Sequence, residues 1–522
     1  MAQTVTLDAL IKREDFASTS SNSHSSDSVN SLSVESLSSA GMISNLLRKP
    51  DFQRETNQWK PNQLVSFLES FLDDELIPSV ILWQGAAHVF VIDGGHRLSA
   101  LKAWIENDYG DGPISLKYFE NDISLEQQTI AERTRKLVEK KIGSYSRIRN
   151  ALINPEAYEE VTVRRARKMA TRQLTLQWVS GDADKAESSF FKINTQGTPL
   201  HDTEEALLRN RSRSIAIAAR SIVRAATGHK YWSKFDPKII SEIESLSQKA
   251  HVILFNPEVR QPVKTLDLPL GGSKSPIVAL GILMQLISVS TLGEKAVATP
   301  IKDFPEDAHG DETISLLKSF IRTVGWISGP EERSLGLHPA IYFYSEQGRH
   351  LPDLLIGMTH LFAQKQQSNQ KTFFKEFTDV RVPLEALLIQ HKFLITQALQ
   401  SVRSTSRYVR VSEFFNEVTK SLKSGKTPDE GEIASIITRG ESARVLALHR
   451  TKSGADFSDQ TKSAAFIREA LKQAIKCEIC GGYLDPQKSM SYDHKKRKSE
   501  GGGGAVDNCD LTHHYCNTGY KG

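Results

Sequence analysis

Four cysteines in 522 residues, all at or beyond position 477, constrain this chain more than any other feature. Cys477, Cys480, Cys509 and Cys516 are too few for a disulfide framework, which belongs to small, cysteine-dense secreted domains. Two of them form Cys477-x-x-Cys480, and His513-x-x-Cys516 repeats that spacing with one imidazole. Each pair can aim two soft or borderline donors at one tetrahedral Zn²⁺. Cys477, Cys480, His513 and Cys516 are therefore the expected zinc set, with Cys509 and His514 as spare donors. A closed site of this kind would staple a segment too short to hold a core by itself.

A different chemistry lies between the two pairs. Asp493-His494 follows Met490-Ser-Tyr492, a candidate short strand, and sets a hard oxygen donor beside an imidazole. Asn517 offers a second oxygen, a combination that suits a hydrated divalent cation such as Mg²⁺. His494 would take a proton from water attacking a phosphodiester, while the cation neutralises charge on the phosphate and the leaving oxygen. Lys495, Lys496, Arg497 and Lys498 follow directly and offer cations to a DNA or RNA backbone.

In order, the Cys-x-x-Cys pair, Asp493-His494, Gly501-Gly502, Asn508 and the closing Cys516-Asn517 resemble the HNH endonuclease family, with its ββα-metal fold. The resemblance implies that His494 is the general base and that Asp493 and Asn517 hold Mg²⁺ or Mn²⁺. It implies that Asn508 holds the base-bearing loop in place, and that Cys477, Cys480, His513 and Cys516 are structural zinc ligands. His513 stands where the family more often has cysteine, Arg497 where it often has proline and Cys509 where it often has leucine. Lys521 falls one residue beyond the family's usual trailing lysine. The competing reading is a zinc module that docks a regulator on nucleic acid without cutting it.

Towards the other end, Gln53-Arg54 precedes Trp59, and Ile92-Asp93-Gly94-Gly95-His96-Arg97-Leu98 sits where a strand should give way to a helix. Two glycines let backbone approach a ligand, helix N-terminal amides favour an anion, and Arg97 offers a phosphate-gripping fork. Phe190 to Leu200, with Ile193-Asn194-Thr195 and Gly197, reads as a strand and turn. The three blocks together resemble the DUF262 family and the related DGQHR-type proteins of the ParB/sulfiredoxin-like superfamily. That resemblance implies a nucleotide-phosphate pocket for GTP, ATP or CTP, with NTP hydrolysis in the restriction of phage DNA. The matching positions are Gln53, Arg54, Asp93, Gly94, Gly95, His96, Arg97 and Asn194, and the family's usual glutamine gives way here to Gly95 or His96.

At ~150 residues per domain the length suggests three or four units. Hydrophobic content of 39% with 25% charged residues is an ordinary globular balance, and Lys+Arg 66 against Asp+Glu 62 leaves any basic surface local. The longest apolar run, Ile277 to Val289, is shorter than the ~20 residues that span a bilayer, so we expect a buried helix, no membrane partner and a cytoplasmic chain. The expected class is α+β and multidomain. It comprises a Ser-rich flexible arm over 1–41, a ParB/sulfiredoxin-like α/β domain over 42–215, a helical connecting domain over 216–460 and a ββα-metal domain over 461–522. The basic run Arg164–Arg172 is expected as a solvated helix face, and Ser424-Gly-Lys-Thr427 as a loop, since Lys420 stands where a P-loop has glycine. The functional expectation is a DNA endonuclease acting on phage or modified DNA and governed by a domain that senses a nucleotide or a DNA modification. Oligomeric state is left open.

Overall fold

A computed structural model describes residues 4–16, 29–196, 202–298, 300–440 and 456–521. Contacts divide the chain into two compact units, 1–212 with 227–234, and 213–226 with 235–522.

The first unit is built on a six-stranded mixed sheet of β1 (Arg13–Glu14), β2 (Ser31–Ser33), β3 (Leu47–Pro50), β4 (Val80–Gln84), β5 (Val89–Asp93) and β6 (Gln173–Trp178), in the order β1-β3-β5-β4-β6-β2. The unbroken apolar runs of β4 and β5 follow from burial on both faces. Val80, Leu82, Val89 and Val91 face one core with helices Pro61–Leu72 and Gly95–Glu106. Ile81, Trp83, Phe90 and Ile92 face another with Phe16, Phe52 and Phe190. Burying a side chain of that size contributes ~1.5–3 kcal/mol.

Two expectations fail in this unit. The Ser-rich arm is in part core: Val5, Leu7, Leu10 and Ile11 are buried, as are Leu32, Val34 and Leu37. Serine is tolerated at 31 and 33 because β2 is an edge strand pairing only with β6, where alternate side chains can meet solvent. Residues 17–28 lie outside the described residues. The strand expected from Phe190 is instead the end of helix Ala183–Gln196. Ala186 and Phe190, four residues apart, lie on one helical face and pack with Phe191 in the core around Phe52.

The second unit stacks helices Ser214–Val223, Pro237–Phe255, Pro276–Leu292, Asp311–Ile327, Pro352–Gln367, Arg381–Ser401 and Arg407–Lys423. Proline in the first turn of the second, third and fifth costs no hydrogen bond. The apolar run from Ile277 is helical, with Ala279, Leu283, Leu286 and Ile287 buried. Among the described residues no helix is long and apolar enough to cross a membrane. The segments expected as separate domains on either side of residue 460 fall in the same unit. Ser489 is one joint between them: its Oγ accepts from Gly329 N at 2.8 Å and shares a hydrogen bond with Ser328 Oγ at 3.2 Å.

Candidate functional site

The C-terminal segment forms a hairpin of β7 (Met490–His494) and β8 (Cys509–His513), followed by a helical turn over Cys516–Tyr520. The strands are antiparallel, with Met490 opposite His513 and His494 opposite Cys509. The expected zinc set comes together: donor atoms of Cys477, Cys480, His513 and Cys516 all lie within 4.8 Å of one another. His513 Nδ1 is 3.4 Å from Cys480 Sγ and 3.7 Å from Cys516 Sγ. Its Nε2 donates to Tyr483 O at 3.0 Å, which fixes the tautomer that leaves Nδ1 facing the thiols. Hydrogen bonds from Cys480 and then Cys516 hold the Cys477 thiol well below its ordinary range, and the thiolate is the form a cation binds. This Cys₃His cluster can bind a metal such as zinc. Cys509 and His514 lie outside it.

Side chains alternate along a strand, so Ser491 and Asp493 share a face of β7 while His494 falls on the other. Asn517 reaches the first face, its Nδ2 donating to Ser491 Oγ at 3.0 Å and Tyr492 O at 3.1 Å. Lys521, four residues on, pairs with Asp493 Oδ2 at 2.5 Å. With Nδ2 engaged, Asn517 Oδ1 has no hydrogen bond among the described residues, and an ammonium already rests on Asp493. Carboxylate and amide oxygens are donor types that suit a hard divalent cation. The contact of Lys521 with Asp493 was not legible in the sequence, which marks Lys521 only as a lysine one residue beyond the HNH family's usual one.

Asn508 closes the loop after His494. Its Oδ1 accepts from Lys496 N at 2.7 Å, and its Nδ2 donates to Lys496 O at 3.2 Å and Gly503 O at 2.8 Å. Lys495 N adds a bond to Asn508 O at 3.0 Å. The chain turns so tightly that a Cβ on Gly502 would lie 1.8 Å from Lys496 O, which excludes any side chain there. Lys495 pairs with Asp510 at 3.3 Å, whereas Lys496, Arg497 and Lys498 are exposed and make no ion pair among the described residues.

In the N-terminal unit, Gln53, Arg54, Asp93, Gly94, Gly95, His96 and Arg97 line one cavity of about 200 Å³, joined by Thr56, Trp59 and Phe190. Gly94 caps helix Gly95–Glu106 with φ of 93°, which an L side chain would strain. Gln53 Nε2 donates to Val91 O at 3.1 Å, and its buried Oε1 has no partner. His96 stacks on Trp59 and accepts from Gln58 N at 3.4 Å through Nε2. Burial first, then the charges of Arg54 and Lys49, push its pKa down to about 3, so the ring is neutral with Nδ1–H available to donate. Arg97 is not a free fork: its Nη2 donates to Asp93 Oδ2 at 2.6 Å and Ser79 O at 3.1 Å. Arg54 makes no side-chain hydrogen bond or ion pair among the described residues, which leaves it as the cation of this cavity. The Asn194 side chain lies outside the described residues.

Sequence reasoning missed the supports of this cavity. Asp8, Arg13 and Lys49 form a buried triad beneath the loop that carries Gln53 and Arg54. Asp8 Oδ1 accepts from Thr56 N at 3.1 Å and Arg13 Nη2 donates to Arg54 O at 3.3 Å. Burial opposes charge on Asp8, but Lys49 and Arg13 outweigh it and hold the carboxyl well below the usual range. Apolar Val5 to Ile11 was the available signal, masked by the serines that follow.

The basic run over 164–172 is largely partnered. Arg165 grips Asp73 with Nε at 3.0 Å and Nη2 at 2.6 Å, Lys168 pairs with Asp74 at 2.5 Å, and Arg172 Nη1 donates to Ser70 O and Phe71 O. Residues 424–427 lie between helices Arg407–Lys423 and Glu430–Thr438, with Lys426 paired to Glu432.

Residues 35–212 match the family model of the GmrSD restriction endonuclease N-terminal domain, a DUF262-type domain. The match spans about a third of the chain and includes β3 to β6 and every cavity residue named above. No curated protein and no solved structure matches the chain.

Proposed function

We propose that this chain is a metal-dependent DNA endonuclease of the HNH type, governed by an N-terminal domain that binds a nucleotide or senses modified DNA, and that it acts in antiphage defence. The observation that supports the reading is that Asn517 is bonded to Ser491 and Tyr492, on the strand that ends in Asp493-His494, and that this hairpin also carries a Cys₃His cluster. The restriction-endonuclease family of the N-terminal match supports DNA as the substrate.

Asp493 and Asn517 would hold Mg²⁺ or Mn²⁺, which supplies neutralisation of charge on the phosphate and the departing oxygen. His494 accepts a proton from water as the water oxygen bonds to phosphorus. The bond from phosphorus to the leaving deoxyribose oxygen breaks, and that oxygen takes a proton from solvent. Lys496, Arg497 and Lys498 bind the backbone, and Asn508 holds the loop that presents them. Zinc on Cys477, Cys480, His513 and Cys516 keeps the hairpin folded.

A cavity of about 200 Å³ is below the ~300–1,000 Å³ of pockets that enclose whole small ligands, so it suits a phosphate tail or an extruded base better than a complete nucleoside triphosphate. Arg54, the helix N-terminus and His96 Nδ1–H are the groups that would meet an anion there. Comparing binding of GTP, ATP and CTP between wild type and Arg54→Ala tests this part; no nucleotide binding by wild type would leave modified DNA as the ligand.

The decisive experiment is a plasmid-nicking assay with Mg²⁺ or Mn²⁺. His494→Ala is expected to lower the rate by ~10²–10⁴-fold, the usual contribution of a positioned general base. Equal background from wild type and variant would sink the enzyme and leave the reading in which the zinc module only docks.

A further inference from the structure

The finger has little core of its own, with Leu484, Cys477 and Cys516 as its buried centre. Two of its parts are instead held by the joint between helices Lys371–Asp379 and Arg381–Ser401. On one side of the joint, Glu385 Oε2 accepts from Tyr483 N at 2.8 Å, and Tyr483 O in turn accepts from the zinc-set residue His513. Glu385 is itself fixed by buried Arg381. On the other side, Asp379 Oδ1 accepts from Tyr520 Oη at 2.7 Å, while Asp379 Oδ2 pairs with Lys423 of helix Arg407–Lys423. The short helix bearing Tyr520 is also tied by Thr518 Oγ1 to Glu332 O at 2.8 Å and by Tyr515 N to Ser334 O at 3.0 Å.

Tyr520 sits three residues after Asn517 and one before Lys521, the two groups that reach the Asp493 face of β7. The chain of partners runs without a gap from Lys423 through Asp379 and Tyr520 to the helix that presents them. We propose that Asp379 is a positioning residue. Through Tyr520 it fixes the terminal helix, and with it the Asn517 oxygen, against the hairpin face that carries Asp493. The helical part of this unit is then the brace that completes the cation site, and a shift of the 379–385 joint would change metal affinity without touching a ligand. The inference rests on the cation site proposed above.

The test uses zinc-loaded full-length protein carrying Tyr520→Phe, Asp379→Ala or Asp379→Asn. Hydrogen exchange over 515–521, Mn²⁺ binding by calorimetry, zinc content and the Mg²⁺ dependence of nicking are all read. Tyr520→Phe and Asp379→Ala should speed exchange in that segment and weaken Mn²⁺ binding by ~3- to 10-fold, the range expected for removal of one hydrogen bond. The Mg²⁺ needed for half-maximal nicking should rise by the same factor, with zinc content unchanged. Asp379→Asn should fall between them and wild type, because its amide oxygen still accepts from Tyr520. Wild-type exchange and Mn²⁺ affinity in Tyr520→Phe and Asp379→Ala would overturn the proposal, and so would loss of zinc, which would make the latch a support of the finger's fold. If wild type cuts no DNA while the variants still loosen the helix and Mn²⁺ binding, the nuclease reading fails and the positioning role stands. If wild type binds no Mn²⁺, both fail.

Discussion

The cavity of the N-terminal unit and the finger of the C-terminal unit hold their polar groups by opposite means. The cavity lies at the end of β5, backed by apolar cores on both faces of a six-stranded sheet, and its loop is fixed from below by the buried charges of Asp8, Arg13 and Lys49. The finger offers a two-stranded hairpin, a helical turn and a Cys₃His cluster, with further support from helical residues such as Glu385 and Asp379. A site on a deep core is stiff but depends on each buried charge keeping its partner. A site on a metal staple tolerates exposed polar residues but fails when the staple goes. Each should therefore break under a perturbation that spares the other.

The largest expected effect follows from removing the staple. Structural zinc contributes ~10–16 kcal/mol to the folding of small metal domains, more than a hairpin of this size can replace. Chelation, or Cys477→Ser, should abolish nicking and expose the amides of β7 and β8 to rapid exchange, while exchange in β4 and β5 keeps its protection. Retained protection of the hairpin in zinc-free protein would show that the helical contacts suffice and would remove the basis of the contrast.

The same contrast explains what the sequence could and could not tell. Cys477, Cys480, His513 and Cys516 were legible because zinc demands particular donors at short spacings, and the structure brings all four together. The end of β5 and the helix from Gly95 were legible because an apolar run and a Gly-Gly break are local signals. The supports were not. Asp8 meets Lys49 and Glu385 meets Tyr483 across 41 and 98 positions, and nothing in the local pattern marks either partner. The Arg97–Asp93 pair was not legible for a related reason: Asp93, at the end of β5, engages the guanidinium from across the Gly94 turn. The strand expected at Phe190 shows how a short Phe-Phe-Lys-Ile run fits either period until the core supplies its partner.

Next in size is Lys49→Met. It leaves Asp8 buried with Arg13 as its only cation, and breaking a buried ion pair costs ~3–5 kcal/mol. Loss of protection should be confined to the N-terminal unit and should abolish ligand binding at Arg54, with zinc content untouched. A change below ~1 kcal/mol would mean that Arg13 alone satisfies the carboxylate.

His96 sharpens the same point through pH. Its folded pKa of about 3 lies below the ordinary 6.5, so on acidification the unfolded chain takes up a proton that the folded unit refuses. Stability is therefore lost as pH falls from 6.5 towards 3. The residue keeps some solvent exposure, so the loss should be ~2 kcal/mol, less than the full shift implies. Between pH 6.5 and 4.5 the Asp8 carboxyl stays ionised and does not contribute. Opening free energies from exchange in helix Gly95–Glu106, corrected for intrinsic rates, should fall over that window in wild type and stay flatter in His96→Gln. Equal slopes would place the proton elsewhere.

The smallest effect distinguishes two sets of cations that composition alone treats alike. Arg164 in the N-terminal unit is well exposed and lies 3.7 Å from Asp73, which Arg165 already occupies. Lys496 in the finger has no acidic partner among the described residues and follows the candidate base by two positions. Removing one cation that neutralises a phosphate should reduce the slope of log affinity against log salt by ~0.9, because one fewer counterion is released from duplex DNA. Lys496→Ala should show that change in binding measured with Ca²⁺ in place of Mg²⁺. Arg164→Ala should leave the slope alone and alter stability by less than ~0.5 kcal/mol, since a surface cation with an already engaged carboxylate contributes little. If Arg164→Ala reduces the slope as much as Lys496→Ala does, the DNA path extends to the N-terminal unit, and the division of labour drawn between core-backed cavity and metal-stapled finger gives way to a shared binding surface.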